Sequence, residues 1–171
     1  MQLTLSQSFL NELLPIKDKL YRIAKRLLIS KEEAEDATQE IISKLWQMGE
    51  ENRSKFKNLE AYSITMIKNY CFDILKSKQV KNTTNEYPQI PDKASLSRTL
   101  EYVDAHQWVS KIINKLPKKE RIIVQLRDVE QCSFKEISKI IEVPETTVRV
   151  YLSRARYKIR KEFQKIDEYG L

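Results

Sequence analysis

The sequence predicts an all-α protein, built as two small helical domains joined by a flexible linker. Three observations carry that reading. Only two glycines and five prolines occur in 171 residues, and long stretches hold Leu, Ile, Lys, Glu and Ala, which lose little on entering a helix. Apolar residues recur at three- and four-residue spacing, the period of a helix with one buried face. Between two such blocks lies QVKNTTNEYPQIPDKASLSR (79–98), with two prolines, several Asn, Ser and Thr, and no sustained period. That stretch reads as an extended linker. The expected boundaries are 1–80, 81–104 and 105–171.

In the first block, Leu10, Leu13 and Leu14 open a pattern that Pro15 re-initiates, running on through Leu20, Ile23, Ala24 and Leu27. Ser30 and Glu33 form an S-x-x-E capping box, which opens a helix through Met48. Ala34, Ala37, Ile41 and Leu45 make its buried stripe, while Asp36, Glu40 and Ser43 face away and Gln39 flanks them. Gly49 ends it. The polar loop EENRSKFKN then leads to a helix over about 59–78.

The second block begins near Leu100 or Ala105 with a helix through Ile113. Leu116-Pro117 follows, placing Pro at the first position of a helix that reaches about Glu130. Ser133 and Glu136 form a second capping box, opening SFKEISKII, and Val143-Pro144 breaks that helix. The next stretch, VPETTVRVYLSRARYKIRK (143–161), carries six Arg/Lys against one Glu.

On a helical wheel Val148, Leu152, Ala155 and Ile159 form one narrow stripe, fit for a core. Thr146, Val150, Ser153, Arg154 and Tyr157 lie opposite, with Arg149 and Arg156 on a shoulder. A merely solvated helix pairs its lysines with glutamates at i,i+4. Here acids are nearly absent, so the cations call for an external anion. The apolar stripe is too small and too occupied to enter a membrane. Two helices joined by a tight turn, the second basic, make a helix-turn-helix whose second helix enters the major groove of DNA.

Charge supports this. The net charge is +7, and the excess is carboxy-terminal: fifteen basic against nine acidic side chains in 105–171, thirteen against eleven in 1–80, three against four in 81–104. Cys71, Cys132 and His106 do not have metal-site spacing, and the two cysteines read as reduced thiols of a cytoplasmic protein. No apolar run is long enough for a signal peptide or membrane span. No cofactor, metal or catalytic residue is expected. An enzyme acting on DNA would need a nucleophile among arginines or converging carboxylates, and with only Gly49 and Gly170 there is no phosphate loop. A different helix-turn-helix regulator, with the first block as sensor or dimerisation domain, is the nearest rival.

The first block narrows the choice. EDATQEIISKLW (35–46) and NLEAYSITMIKNYCFDILKSK (58–78) resemble region two of the bacterial sigma factors, closest to the two-domain extracytoplasmic-function (ECF) type. Residues 113–161 resemble region four of the same sigma-70 family, in the matching order. The resemblance implies a factor that binds core RNA polymerase, recognises the −35 and −10 promoter elements and promotes promoter opening. Asp36, Gln39, Glu40 and Ser43 take the positions that dock on the clamp helices of the largest polymerase subunit, and region four implies contact with the flap of the second-largest.

Lys57, Asn58, Tyr62, Lys68, Asn69, Tyr70, Asp73 and Lys76 match the part that handles the single-stranded −10 element, where rings, amides and cations are the groups required. Lys76 stands where Arg is usual and Tyr62 where Trp is usual. Thr146, Arg149, Val150, Ser153, Arg154, Arg156, Lys158 and Lys161 are the expected −35 contacts, Arg either pairing with guanine or holding phosphate. The family also admits an anti-sigma factor as a partner.

Overall fold

A computed structural model describes residues 2–49, 52, 55–84 and 105–168, and every regular element among them is helical. The chain runs α1 (Gln2–Leu28), α2 (Lys31–Gln47), α3 (Leu59–Thr84), α4 (Ala105–Asn114), α5 (Lys118–Val124), a π-helical turn (Gln125–Val129), α6 (Phe134–Ile141) and α7 (Glu145–Glu168). Among these residues no helix is long and apolar enough to cross a membrane.

α1 runs unbroken through Pro15, where the sequence suggested a restart. Proline removes the one N–H that would reach the Asn11 carbonyl. The buried face of Leu13, Ile16, Leu20, Ile23, Ala24 and Leu27 outweighs that loss. At the start of α2 the Ser30 hydroxyl accepts from the Glu33 N–H at 3.3 Å, while the Glu33 carboxylate pairs with Lys78 near the far end of α3. Gly49, at φ +72°, supplies the left-handed residue that stops the chain after α2.

α3 continues to Thr84, six residues past its expected end, so residues 81–84 of the expected linker are helical. Residues 85–104 lie outside the described residues. Pro117 is the N-cap of α5 and not its first helical residue, with φ −53° and ψ 146°. The helix expected to reach Glu130 widens after Val124 into the π-helical turn, closed by the Glu130 N–H on the Gln125 carbonyl at 3.0 Å. At Ser133 both halves of the capping box are made, the Glu136 carboxylate accepting from the Ser133 N–H at 2.7 Å.

α1, α2 and α3 pack as one group, and α4 to α7 as another around α7. The two groups touch: α1 lies on α5 and the π-helical turn, and α3 lies on α6. The buried side chains of both halves join one cluster, from Leu13 through Ile67 to Ile122, Ile137 and Ala155. Cys71 and Cys132 are buried free thiols within it, and burial pushes the Cys71 thiol up to about 12. Two substitutions check the packing. Ile41→Ala, at 2% exposure, should cost about 2–5 kcal/mol in urea denaturation. Ser133→Ala, which removes the α6 cap, should cost about 1 kcal/mol.

Candidate nucleic-acid interface

The turn between α6 and α7 is fixed locally. Glu142 takes the left-handed conformation at φ 60°, the Val143 N–H donates to the Ser138 carbonyl, and the Ser138 hydroxyl donates to the Val143 carbonyl at 2.6 Å. Pro144 then sets the chain into α7. With Val148, Leu152 and Ala155 buried and Ile159 half-buried, the opposite face stands open. Thr146, Arg149, Val150, Ser153 and Arg154 are all exposed on it.

The basic side chains of α7 are not equivalent. The Arg149 guanidinium lies 3.9 Å from the ring centre of Phe134, with Glu145 at 3.7 Å. Phe134 also carries the Arg127 guanidinium, at 4.6 Å, and Arg127 is anchored by its bond to the Cys132 carbonyl at 2.9 Å. Arg156 makes two bonds to Asp128 on the π-helical turn, and they hold its guanidinium above its usual range.

Lys158 reaches both oxygens of Glu120, at 2.9 and 2.8 Å. The Glu120 side chain is only 7% exposed, so Lys158 is its main charge partner. Lys161 lies over Tyr157 at 5.0 Å. Arg154 has no bond or ring contact among the described residues. Of the eight expected contacts, Thr146, Val150, Ser153 and Arg154 are open, Arg149 and Lys161 are exposed but lie over rings, and Arg156 and Lys158 are tied to acids of their own domain.

The expected −10 set divides on α3. At 100° per residue, Tyr62, Asn69, Asp73 and Lys76 fall within one narrow arc. Asn69, Asp73 and Lys76 are exposed, and Tyr62 is half-buried. Tyr62 stacks on Phe56 of the preceding loop, ring centres 3.9 Å apart. Lys57 is exposed. Asn58 uses its side-chain oxygen to accept from the Ala61 N–H at 2.9 Å, capping the start of α3. Arg53 lies outside the described residues.

Lys68 and Tyr70 flank Asn69 and turn away from this arc in opposite directions. Lys68 is 4% exposed and donates to the Ile140 carbonyl at the end of α6, at 2.9 Å. Burial lowers its ammonium pKa, an effect that Glu142 partly offsets. Tyr70 turns toward α2, where Lys44 lies 5.4 Å from its ring centre.

There Tyr70 joins a surface hollow with Asp36, Gln39, Glu40, Ser43, Trp46 and Lys17. The expected polymerase-docking residues therefore share one concave face, with an aromatic wall formed by Tyr70 and the exposed Trp46. Sequence reasoning missed Trp46 and Lys17 as neighbours of that face, and Arg127 and Phe134 as supports of Arg149. Only the first pair had a signal: Trp46 is i+3 from Ser43, on the same side of α2.

Because Lys158 answers a buried carboxylate, Lys158→Ala should lower stability by about 1–3 kcal/mol. Arg154→Ala should leave stability unchanged. Thermal unfolding of the two variants side by side makes the measurement.

Comparison with known proteins bears on the whole chain. Residues 15–80 match the family model of sigma-70 region 2, and residues 106–159 match that of sigma-70, region 4. The ECF RNA polymerase sigma factor SigW of Bacillus subtilis (strain 168) is 26% identical over 167 residues, spanning 86% of this chain and 84% of that protein. The sigma factor RpoE from Bartonella quintana, solved in complex with the anti-sigma factor NepR, has the same fold. It superposes with a TM-score of 0.76 at 22% identity, over 92% of this chain and 98% of that one.

Proposed function

Because the chain belongs to the sigma-70 family of transcription initiation factors, and to its ECF type, we propose that it binds core RNA polymerase, reads the −35 and −10 elements and promotes promoter opening. Its domains in this reading are 1–80 for polymerase and the −10 element and 105–171 for the −35 element, with 81–104 between them. One observation supports the reading above the others. The second helix of the helix-turn-helix buries Val148, Leu152 and Ala155 and presents Arg149 and Arg154 outward, as a major-groove helix must.

In this mechanism the exposed face of α7 enters the groove, and Arg149, held over Phe134, meets a base edge with little rotamer entropy left to lose. Val150, 47% exposed, offers an apolar contact to a thymine methyl. On α3 the Phe56–Tyr62 stack offers a platform to an unstacked base. Asn69 offers an amide to its edge, and Lys76 a cation to the backbone. The hollow on α2 receives basic side chains from the polymerase clamp helices, with Asp36 and Glu40 as their counter-charges. Region four docks on the flap. An anti-sigma factor is a further partner in this reading, as NepR is for the Bartonella protein.

Three variants test the parts separately. Asp36→Arg with Gln39→Ala should abolish co-purification with core polymerase while the far-ultraviolet dichroism stays helical. Asn69→Ala should leave closed-complex binding nearly intact but reduce permanganate reactivity of −10 thymines, and a pre-melted bubble should restore transcription. Equal loss of duplex binding would instead assign Asn69 to the fold. In the third test, Arg154→Ala should flatten the −35 preference at one base pair, at a cost of about 1–3 kcal/mol. Lys161→Ala should weaken all sequences alike and lower the salt slope by about one unit.

A further inference from the structure

Tyr157 presents a large ring to solvent on the outward face of α7, at 53% exposure. It lies nine residues past Val148, which is fully buried, and at 100° per residue that is half a turn around the helix. The ring therefore sits on the midline of the open face. Thr146, Val150, Ser153 and Lys161 fall within about 40° of the same line. Tyr151, on the same helix, packs against the core. Tyr157 does not, so the fold gives it no work.

Its one neighbour is a cation. The Lys161 ammonium lies 5.0 Å from the centre of the Tyr157 ring. Arg149, Arg156 and Lys158 each have a carboxylate within reach, and Lys161 has none among the described residues. A hydroxyl donor and an unanswered charge thus stand side by side, with an apolar ring between them.

Length decides what they meet. A recognition helix touches base edges with its amino-terminal turns. Tyr157 lies seven residues beyond Val150, about 10 Å further along the axis, and the major groove is only about 12 Å wide. With Val150 over the bases, Tyr157 has reached the groove wall, where the backbone runs.

We propose that Tyr157 is a further contact to the sugar–phosphate backbone of the −35 element. Its ring packs on a deoxyribose and holds Lys161 in place, and its hydroxyl donates to a phosphate oxygen. The proposal rests on the promoter-binding reading above. Such a contact carries no sequence information, but it sets the depth at which Arg149, Val150 and Arg154 meet the bases. A neutral donor releases no counterion, so its share of the affinity survives added salt, whereas that of Lys161 does not.

The experiment uses the full chain with core polymerase, measuring closed-complex affinity on duplex promoters with varied −35 elements at several salt concentrations. Tyr157→Phe should weaken every sequence about fivefold and leave the salt slope unchanged. Tyr157→Ala should weaken every sequence about twentyfold, since the support of Lys161 goes as well. Lys161→Ala should cost less in the Tyr157→Ala background than in the Tyr157→Phe background, because only the second keeps the ring. Thermal unfolding midpoints of the Tyr157 variants should match that of the unmodified chain. Unchanged affinity of Tyr157→Ala, a loss confined to one base pair, equal cost of Lys161→Ala in both backgrounds, or a lowered midpoint overturns the proposal. A complex with core polymerase that ignores the −35 sequence overturns the function proposed above, and this contact with it. One that reads the −35 element but treats Tyr157→Ala as unmodified overturns the contact alone.

Discussion

A helix ends with carbonyls that nothing in the helix can satisfy, and two such ends decide how this molecule is put together. The end of α1 presents the Arg26 and Leu27 carbonyls, and the end of α6 presents that of Ile140. Each is answered by a cation from the other half of the chain: Arg121 for α1 and Lys68 for α6. The helix dipole favours positive charge at both places. Burial opposes it, and the guanidiniums of Arg26 and Arg121 both lie below their usual range for that reason. The exchange is reciprocal, so neither half can withdraw without exposing its own helix end and stranding a cation of its partner.

The same economy of charge governs α7. A count of its cations suggests a uniformly basic rod, but its neighbours sort them. Asp128 and Glu120 hold Arg156 and Lys158 toward the domain's own body, while Phe134 and Glu145 orient Arg149 without covering it. The first turns of α7 therefore leave Arg149 and Arg154 open beside Thr146, Val150 and Ser153, and Arg160 and Lys161 are exposed further along the helix. A π-helical turn makes this possible. Widening the chain after Val124 lets Gln125 and Glu130 face α1 while Asp128 faces α7.

Much of this was legible in the sequence because it follows from period and punctuation. The core stripes of α2 and α7, the cap at Ser133, the stop at Gly49 and the helix-turn-helix turn are local consequences of residue type, and the structure reproduces them. Other features were not legible because they depend on a partner far along the chain. Glu33 looked like half of a capping box, yet its carboxylate is taken by Lys78. Pro15 looked like a restart, yet the apolar face on either side of it carries α1 through. Residue type and the family resemblance set Lys68 and Tyr70 among the expected −10 contacts, and only the packing of α6 and α2 shows where they turn. The π-helical turn has no residue pattern that distinguishes it from the helix it continues.

Those two residues show what α3 contributes. Lys68, Asn69 and Tyr70 are consecutive, so each points about 100° from the last. Lys68 meets the carboxy-terminal half, Asn69 lies on the open arc with Asp73 and Lys76, and Tyr70 walls the hollow on α2. Three surfaces are thus carried by one rigid rod, within a single turn. A helix that is also buried at Ile64, Ile67 and Cys71 cannot rotate to favour one surface without disturbing the others. The α2 hollow and the Lys68 contact with α6 therefore share one rigid element.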